Sequence, residues 1–285
     1  MSNEPKRHHY IPQFFSKAWL SDNHLKMVDK NAPGKVITVS TKNFGLGNKL
    51  YKLNSQIESE FITPFIDNLA PSINDAKTKS WSELSQKVKN DFYKFIILLD
   101  ARNPNSISSM QQALIPLKEK FICLLKKNFS INENVMKEID SGLDNGVLVF
   151  MMIAIQEANI MESDIDIKIK DGVIKDTIKF CFRLMDLARN YLPKSFYIDD
   201  FDKYIVVNEF NCLERMLITS DRAISRKGCY DKEFTLLFNI SPEKGYFISN
   251  EKDIIKSYNK LPHLEKIKYF NQSIEKFSTK YIICP

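Results

Sequence analysis

Four short stretches of this 285-residue chain have residue types that could do chemistry. The densest is Arg7-His8-His9-Tyr10-Ile11-Pro12-Gln13-Phe14-Phe15, which holds two of the four histidines side by side. A neutral imidazole can ligate a divalent metal or act as a general base near pH 7. Neighbours in an extended segment point to opposite faces, so one histidine can face a site while the other serves the core. Arg7, Tyr10 and Gln13 sit close enough in sequence to bind a substrate beside them. The competing reading is a histidine pair hydrogen-bonded into the core, with Tyr10 and Pro12 fixing the segment.

The second stretch centres on Glu58. On a helix it shares a stripe with Phe61, Ile62 and Phe65, and a carboxylate aimed along an apolar face needs a partner. It can pair with a basic residue, bind a metal or work as an acid or base; otherwise it is a first-turn glutamate favoured by the helix dipole. Third, Arg102 continues the stripe of Phe95, Leu98 and Leu99 just before Asn103-Pro104. A guanidinium there can clamp a phosphate or a carboxylate, or hydrogen-bond the last helix carbonyls. Fourth, Thr219-Ser220-Asp221 follows an expected strand. Asp221 suits a metal ligand or an acid, Ser220 a substrate contact, and the plainer reading is a Ser-Asp turn. No glycine elbow surrounds Ser220, which argues against a serine-hydrolase triad. His24 and His263 have no partner motif and read as structural or surface residues.

These groups need a scaffold, and the chain can supply one. Its 44% hydrophobic, 12% aromatic and 27% charged residues are those of a globular protein. Eight glycines are too few for a glycine-looped nucleotide fold, and the two in Phe44-Gly45-Leu46-Gly47-Asn48 make a weak phosphate cradle. The longest apolar run is too short to span a bilayer, so no membrane is expected, and the polar first ten residues do not resemble a signal peptide. Cys123, Cys181, Cys212, Cys229 and Cys284 are dispersed and odd in number, which favours reduced thiols and a cytoplasmic setting. The net charge is +6. Residues 1–52 hold nine Lys or Arg against three Asp or Glu, so the remainder is balanced and the basic excess lies beside the histidines. That favours a phosphate-rich partner, or marks only a solvated lysine-rich face.

Pattern predicts a short helix or turn over 12–20 and strands over 25–28 and 36–39 about the turn Asn31-Ala32-Pro33-Gly34. Helices follow over 54–77 (one, or two broken near Thr63-Pro64), 81–102, 108–127, 133–159 with a break near Gly142 to Gly146, and 175–191, with an exposed strand over 165–169. Strands are expected over 196–199, 204–207, 215–219, 234–240 and 246–248. Helices over 252–259 and 262–277 and a strand over 281–284 close the chain. The simplest reading is one α+β domain over 1–285. An N-terminal motif with short strands (1–53) and a strand-rich end (192–285) build a mostly antiparallel sheet, and a central helical layer (54–191) packs on it.

In this order the four pieces resemble the family catalogued as domain of unknown function 4238. That pattern has His-His-Tyr-x-Pro-Gln-Phe near the start, an inward Glu in a helix, a helix ending in Arg-x-Pro, a Thr-Ser-Asp-x-Pro strand end and a Pro-Leu-Ser-Pro-like strand. Here these are His8 to Phe14, Glu58, Arg102-Asn103-Pro104, Thr219-Ser220-Asp221 and Asn239-Ile240-Ser241-Pro242. The chain departs after Asp221, where Arg222-Ala223 stands in place of Asn-Pro. The resemblance implies no reaction.

Together the residues lead to the expectation of a hydrolase or nuclease of phosphodiester bonds, assisted by a divalent ion such as magnesium or manganese. His8 or His9 would be base or ligand. Glu58 and Asp221 would hold the ion with His9, or share acid and base roles, and Arg102 would stabilise phosphate charge. Two other readings stand beside it. The polar pocket could bind a nucleotide or nucleic acid without turnover, or the same residues could form a buried structural network. A role in bacterial defence suits a cytoplasmic nuclease.

Overall fold

Aromatic and branched residues crowd the last third of the chain, and burying them on both faces of one sheet organises the unit that contains it. The structure is a computed structural model that describes residues 7–48, 63–101, 103, 133, 205–228 and 233–285. The chain forms two compact units. One comprises Met1–Tyr10, Gly47–Asn68 and Ala101–Pro193, the other Ile11–Leu46, Leu69–Asp100 and Lys194–Pro285. In the first, β1 (Arg7–His9) and β4 (Leu46–Asn48, whose first residue belongs to the second unit) form a two-stranded sheet. Helix α2 (Thr63–Thr78) begins there as well.

The second unit contains two antiparallel four-stranded sheets, which establishes the α+β class. One has the order β3-β2-β10-β6, built from β2 (Leu25–Asp29), β3 (Val36–Val39), β6 (Thr219–Ser220) and β10 (Tyr281–Cys284). Its strands come from both ends of the chain, and Tyr281 to Cys284 pair with Asp29 to Lys26 on one side while Ile282 and Ile283 pair with Ser220 and Thr219 on the other. The second sheet has the order β5-β9-β8-β7, from β5 (Val206–Asn211), β7 (Ile224–Gly228), β8 (Phe234–Ser241) and β9 (Lys244–Ser249).

Every residue of β8 and β9 is buried. Side chains alternate across a strand, so two faces must be covered. Phe238 and Tyr246 are opposite in register and meet Phe15, Phe92 and Phe95 of helices α1 (Gln13–Ser16) and α3 (Gln86–Ala101). The Tyr246 hydroxyl donates to the Ala76 carbonyl of α2 at 2.7 Å. Leu237 and Phe247 take the other face, with Tyr258 and Phe270 of helices α4 (Lys252–Lys260) and α5 (His263–Phe277). The Phe247 and Tyr258 rings stack at 4.0 Å.

Several expected boundaries move, each for a local reason. The helix expected over 81–102 is broken: Trp81–Glu83 is a 3-10 turn, Leu84 is extended, and α3 starts at Gln86. Glu83 accepts from the Ser80 amide at 2.9 Å and the Ser80 hydroxyl at 2.7 Å, and the Trp81 amide donates to Glu209. The strand expected over 204–207 is instead β5, whose polar Asn208, Glu209 and Asn211 hide its pattern. The strand expected over 215–219 shrinks to Thr219–Ser220, and edge strand β7, rich in polar residues, was not expected. The segments 54–62, 196–199 and 204 lie outside the described residues, as do the helices expected over 108–127, 133–159 (Glu133 apart) and 175–191 and the strand over 165–169.

Asn239 of β8 and Phe270 of α5 approach Gly245 so closely that a Cβ there would stand 2.7 Å from Asn239 Oδ1 and 2.9 Å from Phe270 Cε1. Gly245→Ala is therefore expected to cost about 1–3 kcal/mol in denaturant unfolding by overpacking. An unchanged midpoint would show that the Asn239 and Phe270 side chains give way freely.

Candidate functional site

Pro12 sits at the N-cap of α1 with φ −62°, and the chain turns through α1 into a 3-10 turn at Lys17–Trp19. This spacing points Phe15 and Trp19 inward, both fully buried, while Phe14 and Leu20 are half-buried. Phe15 stacks on Phe238 at 5.5 Å, and Trp19 Nε1 donates to the Leu217 carbonyl at 3.2 Å. Arg215 Nη2 donates to the carbonyls of Ala18 and Leu20. Lys77 Nζ donates to the Phe14 carbonyl at 3.3 Å, and burial pulls its ammonium down to about 8. Gly45 adopts φ +65°, and a Cβ there would lie 2.6 Å from Ile11 Cβ. That glycine serves close packing on the motif rather than a phosphate cradle.

The second half of the site is the strand end. Leu217 and Met216 both donate their amides to the Pro242 carbonyl, at 2.8 and 3.0 Å. Asn239 Nδ2 donates to the Ile218 carbonyl at 2.7 Å. The structure thus joins in one unit the stretch ending in Thr219-Ser220-Asp221, Asn239 to Pro242, and the part of the first motif from Ile11 on; Arg7 to Tyr10 belong to the other unit. Thr219, Ser220 and Asp221 are all buried. Ser220 Oγ accepts from the Arg222 amide at 3.2 Å, and the Ser220 carbonyl accepts from the Ala223 amide at 3.1 Å. Asp221 Oδ1 accepts from the Thr279 amide at 2.9 Å and Oδ2 from the Lys280 amide at 2.7 Å, while the Asp221 amide donates to the Tyr281 carbonyl. Both carboxylate oxygens thus hold the junction between α5 and β10. Burial pushes the Asp221 carboxyl up, against the backbone hydrogen bonds and Lys30, which pull it down.

His9 ends β1 and, with Tyr10 after it, is half-buried; Gln13 opens α1 and is half-buried. Arg7 and His8 are placed by the β1 backbone, and their side chains lie outside the described residues, as do Glu58 and Arg102. Among the described residues no three His, Cys, Asp or Glu side chains gather as a metal set. Asp221, with an N–H on each oxygen, suits a main-chain clamp better than an ion-holding carboxylate. The exposed His24 bonds the Asp22 carbonyl, and the exposed His263 rests 4.9 Å from the Phe210 ring, as surface or structural residues do. Cys212 and Cys284 are unbridged. Burial, then Glu243, pushes the Cys212 thiol up to about 11, which removes it as a nucleophile at neutral pH.

Sequence reasoning missed two buried ion pairs. Asp100 of α3 accepts from Arg226 Nε of β7 at 2.8 Å. Lys244 Nζ lies 3.4 Å from Glu209 and also donates to the Lys79 carbonyl. Asp100 was findable: it falls on the stripe of Phe92 and Ile96, the same signal that singled out Glu58. The Lys244–Glu209 pair joins adjacent strands, and only the register reveals it.

Two outcomes follow for the turn. Ala223 is buried with φ +60°, a conformation proline cannot adopt, and its amide is hydrogen-bonded. Ala223→Pro is expected to cost about 3 kcal/mol or more, read as a lowered unfolding midpoint. Asp221 also gives a pH dependence. A carboxyl raised on folding contributes stability that is fully present below its unfolded value, about 3.9, and lost as pH rises through the native value. The melting temperature of wild type minus that of Asp221→Asn should therefore grow on going from pH 7 to pH 4; a difference that shrinks on acidification would contradict this.

The family model described as Protein of unknown function (DUF4238) matches residues 7–283, and the chain belongs to that family. No curated protein and no solved structure matches it.

Proposed function

We propose that this family member hydrolyses phosphodiester bonds in nucleic acid or a nucleotide. The observation that carries the reading is where the basic excess of the first fifty residues lies. Lys17, Lys26, Lys35 and Lys42 are all exposed. Lys26 is in β2, Lys35 directly precedes β3 and Lys42 lies in the 3-10 turn after it. Exposed lysines in such a series suit a phosphate chain, whose bound counterions they displace.

In this reading His8 or His9 is the general base or a ligand. Glu58 is an acid or base and, with His9, holds magnesium or manganese. Arg102 stabilises charge on the phosphate, and Arg7, Tyr10, Gln13 and Ser220 contact the substrate. Asp221 takes the smaller share, because both of its oxygens already hold main-chain amides. The same lysines equally serve a module that binds nucleic acid without turnover, and the test below separates the two. The odd, dispersed cysteines support a reducing compartment, and we place the activity in the cytoplasm.

Wild type and His9→Ala are incubated with single-stranded DNA, duplex DNA and RNA, in magnesium, manganese or chelator. Metal-dependent cleavage by wild type, lost in a variant of unchanged melting temperature, is expected. Retarded mobility without product would move the protein to the binding reading. No cleavage and no retardation under any condition would overturn both.

A further inference from the structure

Arg222 directly follows the Thr219-Ser220-Asp221 motif and is half-buried. Its guanidinium lies over the Phe277 ring of α5, with Cζ 5.9 Å from the centroid. Its Nε is buried and has no hydrogen-bond partner among the described residues. Among the described residues no carboxylate pairs with it: Asp221 is engaged by the Thr279 and Lys280 amides, and Asp29 lies 3.8 Å from Lys280 Nζ. A buried N–H left unmade is costly, by about 1–3 kcal/mol, and more for a charged group.

The surroundings suit an anion. The C-terminal end of a helix repels negative charge through its free carbonyls. Here Lys30 Nζ covers two of them, donating to Glu275 at 2.8 Å and Ser278 at 3.0 Å. The Lys30 amide also bonds the Lys280 carbonyl, so Lys30, Lys280 and the Asp221 clamp meet at this junction. Lys276 and Lys280 are exposed beside it. An aromatic face fixes the plane of a guanidinium; with Nε shut inside, Nη1 and Nη2 of this half-buried side chain are left for an oxyanion, which a guanidinium can hold with two parallel bonds.

We propose that Arg222, held on Phe277 at the α5–β10 junction, is a phosphate-binding residue of the second unit. This site rests on the phosphodiester reading above, which supplies the chemistry of the anion. The tight turn serves it: positive φ at Ala223 returns the chain into β7 directly after Arg222, so the arginine projects from a short, fixed loop.

The test is calorimetric titration of the full chain with inorganic pyrophosphate, and with acetate as a second anion. Wild type is expected to bind pyrophosphate and not acetate. Arg222→Gln should weaken binding about ten- to hundredfold, the value of a charge-assisted hydrogen bond. Phe277→Leu, which keeps the charge and removes the ring, should weaken it as well, and provides a second variant if Arg222→Gln unfolds. Pyrophosphate affinity equal in wild type and both variants would overturn the site, as would no binding by wild type or equal binding of acetate. Pyrophosphate binding that depends on Arg222, in a protein that neither cleaves nor retains nucleic acid, would keep the site and sink the nucleic-acid reading.

Discussion

The burial of both faces of β8 and β9 is the constraint on which the second unit depends. A strand buried on one face leaves its other face to water; here neither face has that option. The face of Phe238 and Tyr246 requires Phe15, Phe92 and Phe95, and the face of Leu237 and Phe247 requires Tyr258 and Phe270. Helices must therefore come from before and after the sheet in sequence. The N-terminal motif is recruited in the same way. Phe15 and Trp19 close the aromatic side, Phe15 against Phe238 and Trp19 against Phe15.

Where the strand ladders end, polar side chains take over the main-chain hydrogen bonds. The stretch before β6 has no continuous strand partner. Its amides and carbonyls are met instead by Pro242, Asn239 and Asn271, the last both accepting from the Ile218 amide at 3.1 Å and donating to the Met216 carbonyl at 2.9 Å. Asp221 does the same one turn later, for Thr279 and Lys280. A buried main-chain group left unpaired is expensive, so such residues can be indispensable without touching a substrate. This gives the polar motif at 219–221 an architectural task that a mostly apolar set could not perform. The exposed Lys17, Lys26, Lys35 and Lys42, and the guanidinium of Arg222, have no such architectural task among the described contacts.

The buried charges divide on the same principle. Asp100 has Arg226, and Glu209 has Lys244 together with the amide of Trp81. Removing one member of such a pair leaves the other charge buried and costs more than the pair itself contributes. These pairs tie helix α3 to edge strand β7 and join strands β5 and β9. They fix which helix meets which strand, a choice that nondirectional apolar packing leaves open.

The sequence by itself determined the elements whose pattern is local: β2 and β3 about their Pro-Gly turn, β8, the two helices after β9, and the closing strand. It also determined the α+β class, since helical periodicity fills the middle and alternation fills both ends. It singled out the motif at 8–14 and the turn at 219–221 by residue type alone. Only the tertiary structure decided what those residues hold. The division of 81–101 into a 3-10 turn and a helix depends on Glu209, 126 positions beyond Glu83 in sequence, and on a capping box that a periodicity count overlooks. The polar strands β5 and β7 exist because β9 and β8 supply ladders for them. Asp221 and Arg222 are neighbours of equal promise on paper. One became a main-chain clamp and the other kept an unpaired donor because of what α5 and β10 place beside each. Hydrophobic periodicity is written in neighbouring residues, whereas hydrogen-bond partnership is settled between segments that meet only when the chain has folded.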